Sequence, residues 1–117
     1  MSSSSRVYTP NRGDILFTNF SPQSGREMAG PHPALVLSEK KFSVATGLMI
    51  VCPITSQIKG SPFEVVLPAR LRTKGCVVAS EVRTQDYFAR GVRLVERVPD
   101  RLLQEVQAIA CAVLGCP

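Results

Sequence analysis

The chain has no tryptophan, a single histidine and no Cys-x-x-Cys pair. With only two tyrosines and five phenylalanines besides, it lacks the material for a broad platform on which bases could stack. One histidine, His32, and four scattered cysteines, Cys52, Cys76, Cys111 and Cys116, do not make the paired spacings of a zinc site. No metal or other cofactor is therefore expected. No apolar run approaches the roughly 20 residues that cross a bilayer. No secretory signal is visible either, so the expectation is a reduced, cytoplasmic setting with no membrane association. Acid is scarce: nine Asp and Glu against fourteen Lys and Arg leave a net charge of +5. That balance suits an anionic partner, a nucleic acid or an acidic polypeptide.

What is present is enough for one modest core: 117 residues, 44% of them hydrophobic. Residues 1–10 open on MSSSSR and read as a flexible tail, and residues 11–117 as a single domain. After the turn Asn11-Arg12-Gly13-Asp14, residues 15–20 (ILFTNF) are strand formers, and residues 34–37 (ALVL) give a second strand. Ser38 is placed to cap a short helix over residues 39–44, which Gly47 stops. Residues 48–54 (LMIVCPI) are the near-continuous apolar run of a buried strand, with Pro53 near its end, where a missing N–H is tolerable. Residues 63–67 read as a strand and 68–75 as a basic loop carrying Arg70, Arg72 and Lys74. Residues 76–79 and 82–84 are one bent strand or two, 86–88 a turn, and 91–98 a further strand. From Pro99-Asp100 onward, Leu102, Leu103, Val106, Ile109, Ala110, Val113 and Leu114 follow helical three-four spacing until Gly115. Cys52 and Cys76 read as small buried hydrophobes. Cys111 and Cys116 flank the helix end, where a disulfide is open but not implied. Many short strands and one terminal helix predict a mainly β (α+β) fold. The expected form is a small, partly open, mostly antiparallel barrel with the helix against it.

Residues 24–38, SGREMAGPHPALVLS, organise the rest. A polar loop holding Glu27 passes through Gly30-Pro31-His32-Pro33 into an apolar strand. The prolines fix their own φ near about −65° and push Gly30 and His32 towards extended backbone. His32 is thus expected on stiff backbone where loop becomes strand, a good mount for a reactive side chain. Alternatively, Pro-His-Pro simply begins a strand.

Several segments occur in a telling order: Arg12-Gly13-Asp14-Ile15, Gly25-x-Glu27, Pro33-Ala34-Leu35-Val36-Leu37-Ser38 and Pro53-Ile54-Thr55-Ser56-Gln57. Then come Phe63-Glu64-Val65-Val66-Leu67, Gly75-Cys76-Val77-Val78-Ala79, Glu81-Val82-Arg83-Thr84-Gln85-Asp86 and Ala89-Arg90. In that order and spacing, from Arg12 to Gly115, the chain resembles the MazF/PemK toxin family. The resemblance implies an SH3-like barrel that forms a homodimer. It implies an endoribonuclease that cuts single-stranded RNA at short sequences without a metal, inhibiting translation and growth. It also implies a cognate antitoxin whose acidic, disordered tail lies across the RNA groove. The chain departs from the family at one place: where members carry Arg before the Pro of the Pro-Ala-Leu-Val-Leu strand, it has His32.

Such cleavage uses the substrate's 2′-hydroxyl as nucleophile and leaves a 2′,3′-cyclic phosphate and a 5′-hydroxyl. It is helped by a base, donors to the phosphoryl oxygens, and an acid for the leaving oxygen. Thr55 matches the family's functional threonine and could donate to a phosphoryl oxygen, or merely satisfy local backbone. Glu27 could accept the 2′-proton, orient His32, contact a base, or stay a solvated acid. His32 could protonate the leaving oxygen, since imidazole gives and takes protons near neutrality. Ser56 and Gln57 could add donors or read base edges, and Lys59, Arg70, Arg72, Lys74, Arg83 and Arg90 could line an RNA groove and contact phosphates as a set, or each singly stay a solvated charge. Two other readings of this fold stay open. One is a protein-binding poison like the toxins that trap DNA gyrase, whose key terminal Trp is missing here. The other is an inactive SH3-like binding module that lost activity with the Arg.

Overall fold

The apolar run after Gly47 becomes the strand around which the others are arranged. The computed structural model describes residues 8–20 and 30–116. Its seven strands are β1 (Asp14–Phe20), β2 (Gly30–Val36), β3 (Leu48–Thr55), β4 (Glu64–Val66), β5 (Cys76–Val78), β6 (Arg83–Asp86) and β7 (Arg93–Arg97). Three helices, α1 (Lys40–Thr46), α2 (Tyr87–Arg90) and α3 (Asp100–Leu114), complete the described residues. All strand pairs are antiparallel, in the order β4-β5-β3-β2-β1-β7, and β6 also pairs with β3. The sheet is not closed. This is the mainly β, partly open architecture with a C-terminal helix that the sequence predicts.

β3 meets β2 along one edge. Along the other it meets β6 as far as Val51 and β5 from Ile54. Ile50 C=O accepts from Leu37 N–H on the β2 side at 2.8 Å, so by alternation the nitrogen of Pro53 faces the other edge. There it falls in the gap between β6 and β5, and its missing donor costs no ladder bond.

Alternation divides the apolar side chains between two faces. On one face Ile15, Leu35, Cys52, Ile54 and Val77 pack with Leu102, Leu103 and Val106 of α3. On the other face Leu16, Ala34, Val36, Met49 and Val51 are covered by Tyr8, Tyr87 and Val92. Burial along α3 ends at Ala110, so Val113 and Leu114, placed by spacing on the apolar stripe, are 47% and 69% exposed.

Several local expectations are corrected by tertiary partners. Ser38 does not cap α1. The cap position is Glu39, and Ser38 Oγ instead accepts from Ile50 N–H at 2.9 Å. The expected turn at 86–88 is the short helix α2, because Asp86 Oδ1 accepts from Ala89 N–H at 3.0 Å. Gly91 then caps α2 at φ +62, which delays the following strand to Arg93. Residues 76–86 resolve into two strands, not one. In the Arg12-Gly13-Asp14 turn, Asp14 is buried and accepts from Tyr8 OH, from Asn11 N–H at 3.0 Å and from Arg97 at 2.5 Å. Burial, then Asp14, pushes the Tyr8 hydroxyl well above its ordinary pKa.

Candidate active site

β2 begins at Gly30, earlier than the apolar run alone predicts, because β1 pairs with it back to Phe20↔Gly30. His32 therefore lies inside the strand, opposite Thr18, and not at its mouth. Backbone direction decides which neighbouring strand each proline faces. Val36 C=O accepts from Gly13 N–H beside β1, whereas Leu37 N–H donates to Ile50 across to β3. Odd-numbered residues here turn their backbone groups to β3 and even-numbered ones to β1. Pro31 and Pro33 are both odd. They keep the β1 ladder whole and withhold the donors that would extend pairing with β3. The β2–β3 pairing accordingly ends at Ala34↔Pro53.

His32 is two residues before Ala34, and Thr55 is two after Pro53. Both stand at the unpaired end of this ladder and, by the two-residue side-chain period, on the same face. The same parity puts Thr18, opposite His32, and Arg83, opposite Val51, on that face. His32 and Thr55 are half-buried. Thr18 is buried, and its hydroxyl has no hydrogen-bond partner among the described residues.

Thr55 is held from two sides. Its Oγ1 accepts from Gln57 N–H at 3.1 Å, which leaves its O–H free to donate. Its carbonyl lies where a Cβ on Gly75 would come within 2.1 Å, and Gly75 sits at φ +115. Only glycine allows β5 to start this close to the end of β3.

Beside Thr55 opens a cleft of about 380 Å³, lined also by Gln57, Lys59, Ser61, Phe63, Glu64, Val78, Ser80 and Glu81. The Glu64 carboxylate accepts from Lys59 N–H at 3.1 Å and Gly60 N–H at 2.9 Å, holding the loop after β3. Glu81 pairs with Arg83 at 3.3 Å. A smaller recess of about 180 Å³ is lined by Phe17, Thr18, Asn19, Pro31, Arg90, Gly91 and Arg93. Arg90 Nη1 donates to Asn19 C=O there at 3.0 Å, and Arg93 lies 5.4 Å over the Phe17 ring. His32 is opposite Thr18 in the β1–β2 register and next to Pro31 in sequence. Its neighbours Thr18 and Pro31 line the recess, and Thr55 lines the cleft.

The structure thus gathers Thr55, Gln57 and Lys59 in one cleft, ties Arg83 to it through Glu81, and places Arg90 in the recess. Ser56 is exposed next to Thr55. Glu27 lies outside the described residues. The 68–75 loop ties one of its cations to β7 and one to itself. Arg72 donates to Val95 C=O at 3.1 Å, and Lys74 to the carbonyls of Ala69 and Leu71 at 2.7 and 2.8 Å. Glu96 accepts from both Thr73 donors and from Arg72 N–H. Desolvation opposes this, but those bonds outweigh it and hold the Glu96 carboxyl below the usual range.

Thr18, Glu64 and Glu81 are the site residues that sequence reasoning misses. Each reaches the site from a neighbouring strand or turn, and only the acids carried a signal, as charges beside apolar strands. Burial, then Glu81, pushes the Cys52 thiol up to about 12, and burial, then Glu64, raises Cys76, so neither is a ready nucleophile. Among the described residues no three of His, Cys, Asp and Glu cluster as a metal site requires. No described helix is long and apolar enough to cross a membrane.

Residues 11–114 match the family model described as PemK-like, MazF-like toxin of type II toxin-antitoxin system. The chain is 37% identical over 108 residues to the endoribonuclease toxin MazF of Escherichia coli K12, covering 92% of this chain and 96% of that one. Its structure is similar to crystalline MazF from Deinococcus radiodurans, with TM-score 0.89 and 42% identity over 93% of this chain and 99% of that chain. It is also similar to the MazE–MazF complex from that organism, with TM-score 0.86 and 41% identity, covering 95% of this chain and 100% of that chain. On sequence and fold together, the chain belongs to the PemK-like, MazF-like toxins of type II toxin–antitoxin systems.

Proposed function

We propose that this chain is a toxin endoribonuclease that cuts single-stranded RNA at short sequences and so halts translation and growth in the cytoplasm. The observation that carries the chemistry is the placement of His32 and Thr55. They share one face at the end of the β2–β3 ladder where two prolines stop the pairing. The RNA 2′-oxygen attacks the adjacent phosphorus, the bond to the 5′-oxygen breaks, and a 2′,3′-cyclic phosphate and a 5′-hydroxyl result. Thr55 donates to a phosphoryl oxygen. His32 supplies the proton that the leaving oxygen takes. Glu27, which precedes β2 in the sequence, is the candidate base for the 2′-proton. The substrate provides its own nucleophile, so the reaction needs no metal to generate one.

Lys59, Arg83 and Arg90 hold phosphates along the face, and Ser56 and Gln57 offer groups to base edges. Glu64 and Glu81 offer acceptors to a base edge that presents N–H donors. The protein acts as a homodimer. A cognate antitoxin with an acidic, disordered tail neutralises it by covering the same basic face, in keeping with the solved MazE–MazF relatives.

The test is to incubate the purified protein with a long single-stranded RNA in EDTA and map the ends. Cutting with 5′-hydroxyl ends is expected. Cutting that requires added magnesium, or that leaves 5′-phosphates, would overturn the mechanism. No cutting in either condition would overturn the enzymatic reading.

A further inference from the structure

The proposed RNA chemistry uses none of the four cysteines, which are all free. Cys52 and Cys76 are fully buried, but Cys111 is partly accessible and Cys116 is exposed. Their setting is specific. Helix α3 ends with Gly115 N–H bonded to Ala112 C=O at 3.2 Å and Cys116 N–H bonded to Cys111 C=O at 2.8 Å, and Gly115 has φ +79. This is a Schellman ending, in which the residue after the glycine folds back over the last helical turn. Its side chain then meets the side chain whose carbonyl it caps. In most proteins that contact is apolar. Here both positions are cysteine, and the Cys116 side chain lies close enough to raise the Cys111 thiol above its ordinary pKa. A disulfide needs its two Cα atoms roughly 4.4–6.8 Å apart with the side chains converging. The capping bond draws the two backbones together, and the thiols already converge.

We propose that Cys111 and Cys116 form an oxidisable dithiol at the end of α3, which small-molecule disulfides convert to an intrachain disulfide. Cys116, the exposed member, loses its proton and attacks one sulfur of the small disulfide. That S–S bond breaks, one small thiolate leaves, and Cys116 becomes a mixed disulfide. Cys111 then gives up its proton and attacks Cys116 Sγ, and the second small thiolate leaves. The protein dithiol loses two electrons, the small disulfide gains them, and the two released protons convert the thiolates to thiols. The order follows from the site. Cys111 is held protonated, its pKa raised first by its hydrogen bond to Cys116, and it reacts second. The product staples the last turn of α3 without moving the helix, since Val113 and Leu114 between the two cysteines are already exposed.

The folded protein, at low micromolar concentration, is treated with excess oxidised glutathione and then alkylated. Mass and peptide mapping are expected to show loss of two hydrogens, a 111–116 link within one chain, unmodified Cys52 and Cys76, and full reversal by dithiothreitol. Cys111→Ser should stop at a stable glutathione adduct on Cys116, which keeps the assay informative whether or not the linked form accumulates. Four alkylatable thiols after oxidation, a stable glutathione on each cysteine of the parent, or a link between two copies would overturn the proposal. The readout does not involve RNA, so it stands or falls apart from the cleavage mechanism.

Discussion

Thr55 carries a hydroxyl whose acceptor side is already used by Gln57 N–H at 3.1 Å, while its proton remains available. If that proton goes to a phosphoryl oxygen as charge builds there, Thr55→Ala should cut turnover by on the order of 10²–10³. The fold should be unchanged by circular dichroism, since only one local acceptor is lost. A folded variant with parental turnover would remove Thr55 from the site. His32 is proposed as the acid, and an imidazole there differs in kind from a guanidinium. A guanidinium is charged at every working pH and serves as a fixed donor. An imidazole can both give and take a proton. As the acid, His32 should be needed for turnover. His32→Ala should nearly abolish cutting, and His32→Arg, which keeps a donor but does not give up its proton, should keep only part of the rate. A folded His32→Ala protein with parental rate would place the acid elsewhere. Thr55, Gln57 and Lys59 were legible beforehand because they are close in sequence. Thr18 was not, because only the β1–β2 register brings it opposite His32.

The elements around the site are set by backbone exceptions, and these are what a sequence shows best. Pro31, Pro33 and Pro53 mark where ladders stop, and Gly75 marks where two strands nearly touch. What sequence hid is pairing at long range. β2 extends back to Gly30 because β1 is there to pair with it, and Ser38 bonds to Ile50 N–H instead of capping α1. Local signals could not anticipate either partner. Gly75→Ala should therefore act on Thr55. The new Cβ would meet the Thr55 carbonyl at 2.1 Å on backbone with φ +115, so β5 or the end of β3 must shift. Thermal melting should show clear destabilisation, and cutting should fall further than the loss of folded protein explains. Wild-type stability together with wild-type cutting would show that the close approach is not needed. Glu64→Ala removes the acceptor for Lys59 and Gly60 N–H and should loosen the loop lining the cleft. KM for RNA should rise more than kcat falls, because Glu64 shapes the binding surface and not the reacting bond. A loss confined to kcat would instead put Glu64 in the chemistry.

At the scale of the molecule, apolar surface is left over. Val66 of β4 is 56% exposed, Phe88 of α2 72%, and Leu114 of α3 69%. These residues lie on three elements, and Ile58 and Phe63, at 50% and 44%, add more beside the cleft. Single exposed apolar side chains are ordinary, so the proposed dimer requires that some of these residues form one shared contact surface. A second copy of the chain can cover such surface symmetrically, with each copy presenting the same patch to the other. The net charge of +5 sets a limit on which surfaces meet. Two like-charged copies associate most readily through apolar patches, which leaves Lys59, Arg83 and Arg90 for an anionic partner. Sedimentation at micromolar concentration should give twice the chain mass, and the mass should hold at high salt, because an apolar contact is not screened. RNA binding should weaken steeply over the same salt range, because phosphate contacts are. A monomer at low salt would count against the dimer. A dimer that dissociates as salt rises would mean that charge, not the exposed apolar residues, holds the copies together.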